Sequence, residues 1–340
     1  MLAAVFPSPG SCEIVRRKDP IPGEGEVLVQ VKACGVCGTD VHIYRGQFPA
    51  RFPLVAGHEF SGLVQATGPN VTSVQPGDHV TIDPNITCGL CRPCRRGLTH
   101  LCRDLRGIGV VRDGGFATHC LAPARQVYRL PEEMSFETAA LAEPVACCLH
   151  GIERADPRPG DVVVLIGAGV IGLLLLQLCL LRGAALTIVS ELEPKKREAA
   201  RALGAARVVD PRSEDLIEVV REVSDGSGAD VVIEAVGGQE TAQQAPELAA
   251  EGGQVLLFGV APQEARIAVS PFDIYRREVT ITGSFTNPYT HAAAIALLAS
   301  GRLPVGDLVS HRLGLDGLTT AIELLESRQA MKVMITPQEL

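Results

Sequence analysis

Tryptophan is absent from this 340-residue chain, aromatic residues make up 4% of it, and lysine is scarce, with five residues against 26 arginines. These shortages support no functional conclusion, since the general heat-adaptation signal is not an arginine excess. An excess of positive charge is also missing: 31 basic against 39 acidic side chains leave a net charge of −8. Nucleic-acid binding usually rests on a basic face, so a phosphate-backbone partner is excluded. No apolar run is both long and unbroken. The most apolar segment, Val162 to Leu181, is interrupted by Gly167, Gly169 and Gly172, which suits a buried strand, turn and helix rather than a membrane span. The first residues, MLAAVFPSPG, lack the basic start and apolar stretch of a secretory signal, and a cytoplasmic protein is expected. No internal repeat or low-complexity tract is present, and 46% apolar with 21% charged residues excludes disorder as the main state. The length is comfortable for two domains.

Cysteine, by contrast, is plentiful at eleven residues. In a reducing compartment a disulfide framework is not expected, and a tight cluster of four is better read as a metal site. Cys88, Cys91, Cys94 and Cys102 follow a C-x2-C-x2-C-x7-C spacing. Four thiolates in one short loop match a closed, tetrahedral, structural zinc site, with an iron–sulfur cluster as the competing reading. The neighbouring Arg92, Arg95, Arg96 and Arg103 would offset the thiolate charge or simply be solvated.

A second potential metal site is scattered along the chain. The candidate ligands are Cys37 in GVCGTDVH, His58 and Glu59 in GHE, and Glu143 in LAEPVACCLH. Gly35 and Gly38 would let backbone pass close to an ion, and Asp40 would orient a neighbouring ligand rather than bind metal itself. Alone, Cys37 is as readily a small buried hydrophobe, His58 a hydrogen-bonded structural histidine, and Glu59 a carboxylate behind the true ligands. Their conjunction is what points to a catalytic metal. Residues 136–154 read as one helix broken locally at Pro144, with Glu143 beside the break. Cys147, Cys148 and His150 read as packing residues.

Beyond Pro157, Pro159 and Gly160 the pattern changes. The apolar strand Val162 to Ile166 runs directly into Gly167-Ala168-Gly169-Val170-Ile171-Gly172 and a leucine-rich helix. A strand before, a helix after and an acid at the end of the next strand turn a weak glycine motif into a dinucleotide fingerprint. Glu191 is that acid, placed to accept hydrogen bonds from the adenosine ribose and to repel the extra phosphate of NADP. NAD is favoured, although Lys195, Lys196 and Arg197 just downstream leave NADP open. The cofactor candidates are therefore Gly167, Gly169, Val170, Ile171, Gly172, Glu191 and Lys196. Helices and strands alternate to Gly283, as in a doubly wound parallel sheet. The expected organisation is residues 1–154, a mostly β catalytic domain; 155–283, the dinucleotide domain; and 284–340, a return to the first domain with a cleft between the lobes.

Together GVCGTDVH at 35–42, GHE at 57–59, the cysteine loop at 88–102, EPVACCLHG at 143–151, GAGVIG at 167–172 and HRLGL at 311–315 resemble the zinc-dependent medium-chain alcohol dehydrogenases along essentially the whole chain. Within them the match is to the sorbitol (polyol) dehydrogenase branch, which carries Glu-Pro where alcohol dehydrogenases proper have a third cysteine ligand. The resemblance implies an α/β fold, with a Rossmann domain beside a mostly β, GroES-like domain bearing the structural-zinc loop. It also implies two zinc ions per subunit, NAD, an alcohol or polyol substrate and a homotetramer. The catalytic zinc would be held by Cys37, His58 and Glu59, with Glu143 binding directly or through water, and Thr39 and His42 would relay the substrate proton.

Two departures from the animal polyol enzymes loosen the substrate assignment: Phe285 is followed by Thr286 rather than Arg, and the four-cysteine site is kept. A threonine or 2,3-butanediol dehydrogenase shares the same framework. Two further classes are weighed against these. One is a catalytically silent NAD(P)-binding redox sensor, which would have no need of an open zinc position plus a relay. The other is a zinc-finger nucleic-acid module, which fails on net charge and on the missing recognition helix.

Overall fold

The computed structural model describes residues 1–337, which divide into two compact units: Met1–Ala146 with the chain from Pro288 onward, and Cys147–Asn287. In chain order the first unit opens with β1 (Leu2–Val5), β2 (Glu13–Arg16), β3 (Glu26–Val36), α1 (Gly38–Tyr44), β4 (Glu59–Thr67), β5 (His79–Ile82) and β6 (Asn85–Ile86). It continues through α2 (Arg92–Arg95), β7 (Arg106–Gly107), β8 (His119–Pro123), β9 (Val127–Arg129), α3 (Phe136–Ala140) and the first residues of α4 (Ala142–Ala155), whose remainder from Cys147 opens the second unit. The second unit holds β10 (Val162–Ile166), α5 (Val170–Arg182), β11 (Leu186–Ser190), α6 (Pro194–Ala202), β12 (Arg207–Val209), α7 (Leu216–Val223), β13 (Ala229–Glu234), α8 (Gln239–Leu248), β14 (Ala249–Leu257), α9 (Pro271–Arg277) and β15 (Thr280–Gly283). The chain then returns to the first unit with α10 (His291–Ala299), β16 (Val309–Leu313), α11 (Leu318–Glu326) and β17 (Lys332–Ile335).

The first unit is built on a seven-stranded sheet in the order β16-β17-β3-β4-β5-β9, with β8 also paired to β3. Phe6, Ile43, Leu54, Phe60, Ile82 and Phe116 are fully buried in its core. Side chains of this size each contribute about 1.5–3 kcal/mol on burial. Pairing across β3 decides what meets at the site. Gly35 stands opposite Glu59 of β4 on one side and Met334 of β17 on the other. Both neighbouring strands therefore deliver their side chains to the same point.

The second unit is a six-stranded parallel sheet in the order β12-β11-β10-β13-β14-β15, the doubly wound arrangement in which ligands bind at the carboxyl ends of the strands. Its core joins Val164, Ile188, Val232 and Val255 from four adjacent strands. Helix α5 follows the first strand, and nearly all of its residues from Val170 to Cys179 are buried, which explains its apolar composition on every face.

One local expectation changes. The helix over 136–154 breaks at Leu141, before Glu143, and not at Pro144. Pro144 lies in the first turn of α4, where its missing N–H costs no intrahelical bond. Strand β14 begins at Ala249, through an irregular pairing with Ala229 of β13. A Cβ on Gly38 would meet no protein atom within 4 Å, which leaves the backbone there open to approach.

Candidate zinc and dinucleotide sites

Ligand atoms of Cys37, His58 and Glu59 lie within 4.8 Å of one another. Cys37 directly follows β3 and caps α1, while His58 precedes and Glu59 opens β4, so strand pairing brings two sequence-distant fragments together. The turn before His58 depends on Gly57. Its backbone has a φ of 89°, and a Cβ there would come within 2.8 Å of the Cys34 sulfur and the Phe116 ring. Neither the dihedral nor the space suits another residue.

Asp40, fully buried, organises the cluster. Its carboxylate accepts from the Cys37 backbone N–H at 2.8 Å and the Gly57 N–H at 3.3 Å, and its Oδ1 lies 3.4 Å from His58 Nδ1. With Nδ1 facing a carboxylate, the other ring nitrogen is left for a metal, the usual arrangement of a ligand histidine. Burial works against the His58 imidazolium, but Asp40 and Cys37 more than offset it and carry the pKa well above the ordinary histidine value. A thiol, an imidazole nitrogen and a carboxylate gathered this closely are a donor set that fits a metal ion.

Beneath Glu59 lies a residue that sequence reasoning missed. Lys332, buried at the start of β17, forms an ion pair with Glu59 Oε2 and donates to the Val36 carbonyl at 3.2 Å. Burial alone would lower the Lys332 pKa, yet the Glu59 and Cys37 charges raise it. Gly35 makes room for the pair: a Cβ there would stand 2.2 Å from Glu59 Oε2 and 3.0 Å from Lys332 Cε. The available signal was a single lysine in the apolar run Met331 to Ile335, one of five lysines in the chain.

The other expected residues fall as follows. Glu143 is buried in the first turn of α4 and stands outside the set that shares the 4.8 Å limit. Thr39 Oγ1 lies 3.8 Å from the Cys37 sulfur, and His42, one turn along α1 from Thr39, is fixed by a 3.0 Å contact between Nδ1 and Gln47 Oε1. Cys148 and His150 are buried in α4 and Cys147 is half-buried.

Cys88, Cys91, Cys94 and Cys102 form the second group. Their sulfurs stand 3.4 Å (91 to 94), 3.9 Å (91 to 102) and 3.5 Å (102 to 88) apart. A tetrahedral zinc with bonds of about 2.3 Å gives edges of about 3.8 Å, so one ion fits. An iron–sulfur cluster, with several irons and its own sulfides, would need the cysteines spread wider. Backbone N–H groups of Cys88, Cys91 and Asp104 point at the sulfurs at 3.3–3.4 Å. Bonds of this kind hold Cys91 down to about 6, while burial pushes Cys94 up to about 12. Arg92, Arg95, Arg96 and Arg103 are all exposed, so the charge is offset chiefly by backbone dipoles.

At the head of the second unit, the three glycines of 167–172 do different work. Gly167 has a φ of 101°, and a Cβ on Gly172 would lie 2.0 Å from the Gly167 carbonyl oxygen, so helix and turn pack closely. A Cβ on Gly169 would meet no protein atom within 4 Å, leaving the start of α5 open to the approach of a pyrophosphate. Val170 and Ile171 continue into α5. Glu191 Oε2 accepts from the Ala168 N–H at 2.8 Å and Oε1 from the Glu193 N–H at 2.9 Å. A carboxylate accepts about four hydrogen bonds, so capacity for ribose hydroxyls remains. Lys196 is half-buried in the first turn of α6, in no ion pair among the described residues.

Comparison with known proteins agrees with this geometry. Residues 23–132 match the alcohol dehydrogenase GroES-like domain and residues 170–300 the zinc-binding dehydrogenase family. D-arabinitol dehydrogenase 1 of Uromyces fabae is 34% identical, over 99% of this chain and 97% of that protein. The chain belongs to the zinc-type medium-chain alcohol dehydrogenase family. L-threonine 3-dehydrogenase of Pyrococcus horikoshii is another member, 34% identical over 98% of each chain. A Sinorhizobium meliloti 1021 protein, solved bound to NADP, superimposes with a TM-score of 0.96 at 40% identity, covering 99% of both chains. This dehydrogenase is therefore an oxidoreductase, and zinc and a nicotinamide dinucleotide are the cofactors of its family. The family and the two-part α/β fold expected from the motifs are both borne out. No helix among the described residues is long and apolar enough to cross a membrane.

Proposed function

We propose that this chain oxidises a secondary alcohol, a polyol or sugar alcohol, to the ketone or ketose with NAD as hydride acceptor. The observation that carries the reading is the Cys37, His58 and Glu59 group, backed by Asp40 and Lys332, in the same chain as the glycine turn at 167–172. Zinc supplies Lewis acidity toward an alcohol oxygen, and the dinucleotide takes the hydride.

The chain's own residues bind, orient and move protons. Cys37, His58 and Glu59 would hold the metal, with Asp40 fixing the His58 ring and Lys332 balancing the buried negative charge of Glu59. Glu143 reaches the metal directly or through a water molecule. Thr39 Oγ1 receives the substrate hydroxyl proton, and His42 passes it outward through Nε2 while Gln47 holds Nδ1. In the second unit, Gly169 seats the pyrophosphate and Glu191 accepts from the ribose. An assembly of four copies and a cytoplasmic location accompany this reading.

The polyol assignment follows the Glu143-Pro144 pair and the similarity to D-arabinitol dehydrogenase 1. A second reading, oxidation of L-threonine or 2,3-butanediol, is favoured by the equal identity to L-threonine 3-dehydrogenase. The test is NADH or NADPH formation against sugar alcohols, 2,3-butanediol and L-threonine, each with and without a strong zinc chelator. Chelator-sensitive turnover highest with a polyol supports the first reading, and turnover best with threonine or the diol supports the second. Dinucleotide binding without turnover on any substrate would favour a silent sensor.

A further inference from the structure

The carboxyl ends of β11 and β12 lie side by side. Ser190 pairs with Val209, and the Glu191 N–H donates to the Val209 carbonyl at 3.1 Å, so Glu191 and Asp210 leave the sheet together. Two guanidiniums crowd the same spot. Arg197 Nη1 donates to the Glu191 carbonyl at 2.9 Å and the Leu192 carbonyl at 2.6 Å, and Arg212 Nη2 reaches the same Leu192 carbonyl at 2.6 Å. Both are claimed by one carboxylate. Arg212 grips Asp210 with Nε and Nη2, each at 2.9 Å, while Arg197 Nη2 lies 3.1 Å from Asp210 Oδ2. The Arg197 side chain is 14% exposed and that of Arg212 57% exposed.

We infer that Asp210 is a positioning residue for cofactor choice, which keeps Arg212 from pairing with a phosphate on the adenosine 2′ oxygen and so biases the chain toward NAD. The inference rests on the dinucleotide reading of the 167–172 turn. In that reading the ribose lies against Glu191, and a 2′-phosphate would project past it toward residues 191–192. A phosphate there needs a cationic fork to offset Glu191. The forks are present, but the Asp210 carboxylate engages both: Arg212 through Nε and Nη2, and Arg197 through Nη2. Removing Asp210 takes that carboxylate away from both guanidiniums. Arg197 stays tied to two carbonyls, while Arg212 keeps a single carbonyl contact on a mostly exposed side chain and is free to turn.

The test measures NAD and NADP dissociation constants by calorimetry on the zinc-loaded protein. The variants are Asp210→Ala, the near-isosteric Asp210→Asn and the double variant Asp210→Ala with Arg212→Ala. The expected result is a roughly tenfold fall in the ratio of the NADP to the NAD constant in Asp210→Ala, worth about 1.4 kcal/mol. A smaller fall is expected in Asp210→Asn, and loss of the gain in the double variant. General damage to the fold would weaken both dinucleotides and leave their ratio alone. An unchanged ratio in both single variants, or a gain that survives loss of Arg212, overturns the inference while leaving the dinucleotide reading intact. Failure of the parent protein to bind either dinucleotide refutes both.

Discussion

The two cysteine-containing clusters of the first unit differ in how they are assembled. The four-cysteine group comes from a single loop, takes its hydrogen bonds from backbone N–H groups, and offers four like ligands with no position to spare. The group at Cys37 joins two chain segments, mixes thiol, imidazole and carboxylate, and is backed by buried charges of both signs at Asp40 and Lys332. A closed set of identical ligands suits a staple, whereas a mixed set with charged neighbours leaves a coordination position for chemistry. The lesson is that the surroundings of the ligands, more than their number, separate a structural from a catalytic metal.

Breaking each cluster in turn should make the contrast measurable. The largest effect is expected for Cys37→Ser: kcat/KM falls by about a thousandfold or more while circular dichroism and melting stay near the parent's. Melting that collapses with activity would place Cys37 among structural groups. Cys94→Ser should do the reverse in kind, lowering Tm by roughly 10 °C because metal binding and folding of the loop are linked. An unaltered melt would remove the structural role.

Lys332→Met is the next step down. It leaves the Glu59 carboxylate buried without its partner, and breaking such a pair costs about 3–5 kcal/mol. The loss should be greater in metal-stripped protein than in zinc-loaded protein, because zinc supplies a replacement cation. Equal losses in both would detach Lys332 from the metal cluster.

The smallest effect lies outside both clusters. His291 is fully buried beside Tyr128, with neither ring nitrogen hydrogen-bonded, and burial pulls its pKa down to about 3. The unfolded chain, titrating near 6.5, binds the proton first as pH falls. Stability is therefore full above about pH 6.5 and declines toward pH 3, by on the order of a few kcal/mol. In urea melts His291→Phe should flatten that decline, and an unchanged pH slope would show that other groups carry it.

Much of this was legible in the sequence because local chemistry carried it. The cysteine spacing, the glycine turn with Glu191 after the next strand, and the fragments at 35–42 and 57–59 each need only a short window to be read. Lys332 was not legible, because its partner Glu59 lies far away in sequence and is reached only through the pairing of β17 and β4 with β3. Asp210 was missed for a similar reason: its role depends on two parallel strands ending together. The helix break at Leu141 was misread because a proline draws attention to itself even in a first turn that tolerates it. The first two were missed because tertiary pairing, not local propensity, decides them.

The central claim is that one chain holds two zinc ions in chemically distinct sites, and counting metal tests it most directly. Elemental analysis of the purified parent, Cys37→Ser and Cys94→Ser proteins should give two zinc ions per chain for the parent. Cys37→Ser should keep one zinc in a folded but inactive protein, with the ion at Cys88, Cys91, Cys94 and Cys102 retained. Two zinc ions in Cys37→Ser, or none in the folded protein, would contradict the account.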